Sequence, residues 1–226
     1  MILPGSKRRL LLTTVLLCVG GAVPTAAAQQ DARTLVSRAS MVYRGLQSLR
    51  ADFDQLIQNP MIGDQASKGM LIQSGQARLA MRFSEPDGEA VVIDGEYIWV
   101  YTPSTTPGQV LRMPLPSGGP VYGYNLIAWL LDRPHERYQS TFVRNDRLEG
   151  RNVAVVEMVP TVPDMPFTRA VVWLDRGDGL PRRIEIEETT GQQRALTLRN
   201  LRANVPIRDD TFRFRVPSGV KVIQQG

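Results

Sequence analysis

The chain has 226 residues and a formal net charge of +5, with 27 Lys and Arg against 22 Asp and Glu, one histidine and one cysteine. This length suits a single domain with a sizeable core, and one His beside one Cys leaves neither a zinc ligand set nor a disulfide framework. The +5, less the three cations of Lys7-Arg8-Arg9, falls to +2 over residues 29–226, which argues against a nucleic-acid partner, since such a partner calls for a concentrated basic face.

Residues 1–28 read as a secretory signal peptide. Lys7-Arg8-Arg9 is a basic n-region, Leu10 to Val19 a short apolar run, and Ala26-Ala27-Ala28 an A-x-A cleavage site. The apolar run is short for a transmembrane helix. Cys18 lies within it behind Leu17, which is not the small residue a lipidation signal needs. Residues 29–226 are the expected folded unit, free of cysteine although exported.

Asp31 to Leu49 carries a helical pattern. Leu35, Ala39, Val42, Leu46 and Leu49 recur at steps of four and three, and Asp31 suits the N-cap. Leu49, Ala51, Phe53, Gln55 and Ile57 then alternate with polar residues as a first strand. Asn59 to Gln65 reads as a loop and Gly69 to Gln73 as a second strand. In the third, Ala77, Leu79, Met81 and Phe83 alternate with Arg78, Ala80 and Arg82. Glu85-Pro86-Asp87-Gly88 is a turn, Ala90 to Ile93 a short strand, and Asp94-Gly95 a hairpin signal. Tyr97, Trp99 and Tyr101 share one face of the next strand, which Pro103 ends, and Gln109 to Met113 continues the meander.

Pro114 to Gly123 breaks the pattern with its prolines and glycines. Asn125 to Leu131 is a short helical piece that Asp132-Arg133-Pro134 stops. Strands follow at Tyr138 to Val143, Val153 to Val159, Thr168 to Asp175, Arg182 to Glu188 and Arg194 to Ala203, and the C-terminal end with Pro206, Phe212, Phe214 and Pro217 is extended. About eleven strands joined by short turns form a mostly antiparallel sheet. A sheet this wide must curl or close. The expected class is mainly β with α (α+β): one strongly curved antiparallel sheet with the two helical pieces laid across its concave side.

Catalytic chemistry has little footing. His135, between Pro134 and Glu136, reads as a surface histidine; there is no G-x-S-x-G elbow, no phosphate loop and no G-x-G-x-x-G, so no enzyme and no cofactor is expected. Asp94, Asp175 and Asp178 sit in turns, where Asp serves the backbone. Apolar surface remains. Met70, Met81 and Met113 fall in the sheet, and Met fills irregular apolar space. Periodicity alone cannot separate a filled core from a hollow one, and the filled core is the simpler reading of the pattern.

An ordered set of short motifs adds a resemblance over most of residues 29–226. It comprises the N-terminal helix followed by Phe53-x-Gln55, Lys68-Gly69-Met70-Leu71, Arg82-Phe83-x-x-Pro86, Asp94-Gly95-x-x-Ile98-Trp99-x-Tyr101-x-Pro103, and Phe212-x-Phe214-x-x-Pro217-x-Gly219-Val220-x-Val222. The set resembles the periplasmic outer-membrane lipoprotein carrier family, LolA. The resemblance implies an unclosed β-barrel whose helices form a lid over an apolar cavity. It implies a monomeric periplasmic carrier, exported by a Sec-type signal in a Gram-negative bacterium. Its partners would be acylated lipoproteins, the inner-membrane lipoprotein-releasing ABC transporter and an outer-membrane acceptor lipoprotein. By the same resemblance the cavity would be lined by Leu35, Phe53, Met70, Ile72, Leu79, Met81, Phe83, Trp99, Tyr101, Met113, Leu126, Trp129 and Leu130. The alternative is a periplasmic module that binds or senses another lipid or a glycolipid. Relatives latch the lid with an Arg-Pro just after the second strand; here Gly75-Gln76 stands at that place, with Arg78 nearby but off register.

Overall fold

The computed structural model describes residues 26–117 and 120–225, with side-chain surroundings from residue 30 onward. The signal-peptide expectation for Lys7-Arg8-Arg9 and Cys18 therefore lies outside the described residues. In chain order the elements are α1 (Ala26–Arg44), β1 (Ser48–Asn59), β2 (Gly63–Ser74), β3 (Arg78–Glu85), β4 (Asp87–Ile93), β5 (Tyr97–Tyr101) and β6 (Gln109–Pro114). They continue with α2 (Leu126–Leu131), α3 (Pro134–Arg137), β7 (Tyr138–Leu148), β8 (Arg151–Pro160), β9 (Phe167–Asp175), β10 (Pro181–Glu188), β11 (Gln193–Ala203), a 3-10 turn at Asp209–Phe212 and β12 (Lys221–Gln224).

The strands make one twelve-stranded sheet in the order β12-β6-β5-β4-β3-β2-β1-β11-β10-β9-β8-β7. Every pairing among the described residues is antiparallel except β12 on β6, which is parallel, with Lys221 opposite Gln109. The sheet is strongly curved and unclosed, with β12 at one edge and β7 at the other. The antiparallel order follows from the short turns. The parallel pairing is possible because the chain travels back across the sheet after β11 before β12 forms, which gives the long connection that parallel neighbours need.

Three sequence readings are corrected. Helix α1 runs from Ala26 to Arg44, so Asp31 lies inside it and does not cap it, while Leu46 and Leu49, read as part of its stripe, fall beyond its end, Leu49 in β1. Its buried stripe is Ala32, Val36, Ala39 and Tyr43, with Leu35 and Val42 only partly buried on the flank. This stripe has the same helical steps, but two alanines made it look less apolar. Residues 63–65 are strand, since β2 pairs with β1 along its whole length from Asn59↔Gly63 to Ser48↔Ser74. Pro134, read as a stop, also begins the one-turn helix α3, where a proline at the first position costs no hydrogen bond.

The main core lies between the concave face and the helices. Leu49, Leu79, Ile98, Val156, Val172, Ile184, Leu196 and Leu198 of the sheet meet the α1 stripe and all of Leu126–Leu131. The convex face is also apolar in two patches. Ala80, Val92 and Phe212 form one, with Ile72, Trp99, Ile207 and Phe214 packed on them; Val153, Val155, Val171 and Trp173 form the other.

Candidate functional site

The concave face is built in cross-strand rows. Leu49, Gln73, Leu79, Ile93 and Ile98 are register partners across β1 to β5, and Ala51, Leu71, Met81 and Val91 make the next row. In the third row Phe53 and Phe83 flank Gly69, and their rings meet edge to face with centroids 5.1 Å apart. Gly69 makes that contact feasible. A Cβ built on it would lie 2.1 Å from the Arg82 carbonyl oxygen and 2.8 Å from the Phe83 Cα, so no other residue fits without moving the backbone.

The helices close over these rows. Asn125 caps α2 by accepting from the Ala128 N–H at 3.2 Å, and all six residues of α2 are buried. Trp129 sits among Tyr122, Tyr138 and Phe167 at centroid distances of 4.9, 6.5 and 5.5 Å. The Arg137 guanidinium lies 4.1 Å over the Trp129 ring and donates to the Trp129 carbonyl at 2.7 Å, holding α2 to α3.

Polar ties between α1 and the rest of the lid come once per turn. Ser37 Oγ is 2.6 Å from His135 Nε2, Ser40 donates to the Leu131 carbonyl at 2.7 Å, and Tyr43 donates to Gln73 Oε1 at 2.6 Å with Asn125 Oδ1 at 3.4 Å. Tyr43 thereby joins α1, β2 and the cap of α2. Burial pushes its phenol well above the usual tyrosine range, against the opposing effect of the Gln73 and Asn125 hydrogen bonds. Arg78 takes no part in the lid. It pairs with Asp209 at 3.1 Å and stacks over Phe212 at 5.0 Å on the convex side, while Gly75 occupies a left-handed turn position.

The enclosed space is filled by the protein's own side chains, with Leu49, Leu79, Ile98, Ile127 and Leu130 less than 2 % exposed. Openings lie at its rim. One cavity of about 260 Å³ is bordered by Ile93, Leu115, Val121 and Asn125; another of about 570 Å³ reaches Phe53, Gly69 and Phe83 at the far end of the rows.

Of the residues expected to line a cavity, Leu35, Phe53, Leu79, Met81, Phe83, Met113, Leu126, Trp129 and Leu130 belong to this one concave cluster. Met70, Ile72, Trp99 and Tyr101 do not. Strand alternation puts Ile72 and Trp99 on the convex face, packed with the segment after β11, and Met70 lies two residues before Ile72 on the same side. Phe214 stacks on Trp99 at 5.5 Å and lies 5.8 Å from Tyr101. The sequence reading missed Tyr43, Gln73, Asn125, Tyr122, Tyr138 and Phe167. The Ala32-Val36-Ala39-Tyr43 spacing carried a signal for Tyr43; the aromatic cluster around Trp129 had none, because its members are far apart in the chain.

Among the described residues, no group of three or more His, Cys, Asp or Glu side chains could hold a metal, and no helix is long and apolar enough to cross a membrane.

A protein named outer-membrane lipoprotein carrier protein from Alkalilimnicola ehrlichii is 28 % identical over 150 residues, covering 66 % of this chain and 64 % of that one, just under two thirds of the relative's length. One of the same name from Methylobacillus flagellatus is 23 % identical over 182 residues, covering 80 % and 84 %. The solved structure of an uncharacterized conserved protein from Thermus thermophilus shares the fold, with a TM-score of 0.57 at 13 % identity over 87 % of this chain and 100 % of that one. The family model described as outer membrane lipoprotein carrier protein LolA matches residues 44–215, well over half of the chain, and the chain belongs to that family.

Proposed function

We propose that this protein is a periplasmic, non-enzymatic carrier that holds the acyl chains of lipoproteins between the concave face of its sheet and the α1–α2–α3 lid. It would receive them from the inner-membrane lipoprotein-releasing ABC transporter and pass them to an outer-membrane acceptor, acting as a monomer. The observation that carries this reading is the membership of the family together with an apolar concave face closed by a separate layer of helices. Phe53, Leu79, Met81, Phe83, Met113, Leu126, Trp129 and Leu130 are the residues assigned to the acyl chains.

The filled interior fits a resting state. Acyl chains enter by displacing α1 and α2 from the rows beneath them, so apolar contacts are exchanged for apolar contacts. Withdrawing chains from a membrane costs about 0.8 kcal/mol per CH₂, hence on the order of 30 kcal/mol for two or three long chains, beyond the roughly 20 kcal/mol ceiling of non-covalent binding. The protein therefore shields chains that an energised partner extracts.

The test is a release assay. The purified protein is added to spheroplasts carrying labelled lipoproteins, and the expected result is labelled lipoprotein in the supernatant bound to it. If no lipoprotein is released and an extracted lipid copurifies instead, the cargo is another lipid and the lipoprotein reading falls.

A further inference from the structure

One end of the concave face opens beside the cap of α2. The cavity of about 260 Å³ found there is bordered by Ala77, Ile93, Leu115, Val121 and Asn125, with Gln76 at its exposed rim. Among the described residues, no charged side chain lines it. Its floor leads into the main core, because Ile93 is the register partner of Leu79 and Ile98 and belongs to the same cluster as Leu126.

Asn125 is the buried polar group of this cavity, at 4 % exposure. Its side-chain oxygen is already engaged: it accepts from the Ala128 N–H at 3.2 Å and lies 3.4 Å from the Tyr43 hydroxyl. The first contact fixes which branch of the amide is oxygen, since a nitrogen turned toward the Ala128 N–H would set two donors against each other. The nitrogen is therefore the other branch. It makes no hydrogen bond among the described residues, and it is not one of the buried atoms closed off from solvent. A nearly buried amide thus keeps two N–H donors for a guest in the cavity, and buried donors in native proteins are satisfied with few exceptions.

The surroundings state the guest's chemistry. An amide nitrogen only donates, so the guest brings an acceptor. With no cation on the wall, a carboxylate or phosphate would be buried unpaired, so the acceptor is neutral. The rest of the wall is largely apolar, so the acceptor sits on an apolar chain. An amide carbonyl would bring an N–H of its own, and the Asn125 oxygen that could receive it is taken; an ester carbonyl brings none. We infer that Asn125 donates to the ester carbonyl of a bound acyl chain, which runs inward from there over Ile93. The presence of a chain rests on the carrier reading, and the place of its carbonyl rests on Asn125. Two sources offer that group, the S-diacylglyceryl cysteine of a lipoprotein and a free glyceride, and the lipoprotein is the one that fits the carrier reading.

The purified protein is loaded with the neutral apolar dye N-phenylnaphthylamine, which is displaced in turn by dioctanoylglycerol, by its diether analogue and by an S-dioctanoylglyceryl cysteinyl peptide. The diether is the more apolar of the two glycerides, so an interior that only shields chains takes it as well as the diester or better. With Asn125 donating, the diester is expected to bind about fivefold more tightly than the diether, and its carbonyl infrared band to move to lower frequency on binding. Asn125→Asp keeps an oxygen for the Ala128 N–H and the Tyr43 hydroxyl and loses the donors, so it is expected to erase the diester preference. A diether that binds the unmodified protein as tightly as the diester, an unmoved carbonyl band, or a diester preference that survives in Asn125→Asp overturns the assignment. The first two are read on the unmodified protein and decide the matter even where the variant does not fold. Tighter binding of the peptide than of dioctanoylglycerol supports the lipoprotein ester, and equal or weaker binding overturns that source in favour of a free glyceride. Dye displaced by the diether without any diester preference rejects the Asn125 contact and leaves the carrier reading, whereas no displacement by any of the three rejects the carrier reading itself.

Discussion

The two faces of the sheet are both apolar, and they are covered by different means. The concave face lies under helices that approach from outside the sheet and are tied to it and to one another by side-chain hydrogen bonds at Ser37, Ser40 and Tyr43 and by Arg38, which donates to the Arg176 and Gly177 carbonyls. On the β3–β5 side the convex face lies under the chain that follows β11, which brings Phe212 and Phe214 onto Ala80, Val92 and Trp99 and is then fixed by the β12–β6 ladder. On the β8–β9 side no such segment covers it among the described residues; Leu148 packs there and the Arg183 guanidinium lies 5.6 Å over Trp173. A face closed by backbone pairing is permanent structure. A face closed by helices is held by the burial of their apolar residues, and each side-chain hydrogen bond adds only about 1 kcal/mol net against water.

Experiments that set the faces against each other can be ranked. The largest loss is expected at the end of β9, where Asp175 accepts from Arg151 at 2.9 Å and lies 3.2 Å from Arg182, which is itself only 4 % exposed and also paired with Asp178. Asp175→Asn leaves that guanidinium short of charge and is expected to cost about 4 kcal/mol in urea unfolding without changing acyl affinity per folded molecule. Burial pushes the Asp175 carboxyl up, but the Gly177 N–H and the two arginines outweigh it and hold it below the usual range. A depressed carboxyl contributes stability above its unfolded value near 3.9 and loses it as pH falls through the folded value. In acid unfolding below about pH 4, Asp175→Asn is therefore expected to flatten the dependence.

Next comes Gly69→Val, expected to cost about 3 kcal/mol by forcing the backbone at Arg82 and parting Phe53 from Phe83. Phe212→Ala on the convex face is expected to cost about as much, ~3 kcal/mol, yet leave fatty-acid affinity untouched. Met81→Gln on the concave face should do the opposite, with a smaller loss of stability, ~2 kcal/mol, and a clear loss of acyl affinity. If Phe212→Ala lowers acyl affinity as much as Met81→Gln, the functional distinction between the faces is wrong. Comparable to it is Tyr43→Phe, about 2 kcal/mol because it strands the buried Gln73 oxygen, with faster hydrogen exchange in α1 and faster uptake of a fluorescent fatty acid.

This difference in covering also explains what could be read from the residues alone. Alternation in Leu79, Met81 and Phe83 fixes which side chains travel together, but alternation is symmetric and does not say which set faces inward. In most half-exposed sheets hydrophobicity breaks that symmetry. Here Ile72, Trp99 and Tyr101 are as apolar as Leu71, Ile98 and Val100, because residues more than a hundred positions later cover them. The first half of β2, Gly63-Asp64-Gln65-Ala66-Ser67, is strand only because β1 offers it a ladder, and no local pattern records that. The motifs that carried the family resemblance were local, so the curved sheet with helices across it was legible. The aromatic cluster around Trp129 was not, since Tyr122, Tyr138 and Phe167 come together only through the fold.

The ladder of serines and tyrosine along α1 has a direction. At Tyr43 the donor and both acceptors are buried, so breaking that rung strands polar groups where water does not reach. At Ser37 the rung is in solvent, and water replaces the imidazole at almost no cost. Breaking the polar contacts of the helix therefore costs least at the Ser37 rung and most at Tyr43, with Arg38 between them held to the Arg176 and Gly177 carbonyls.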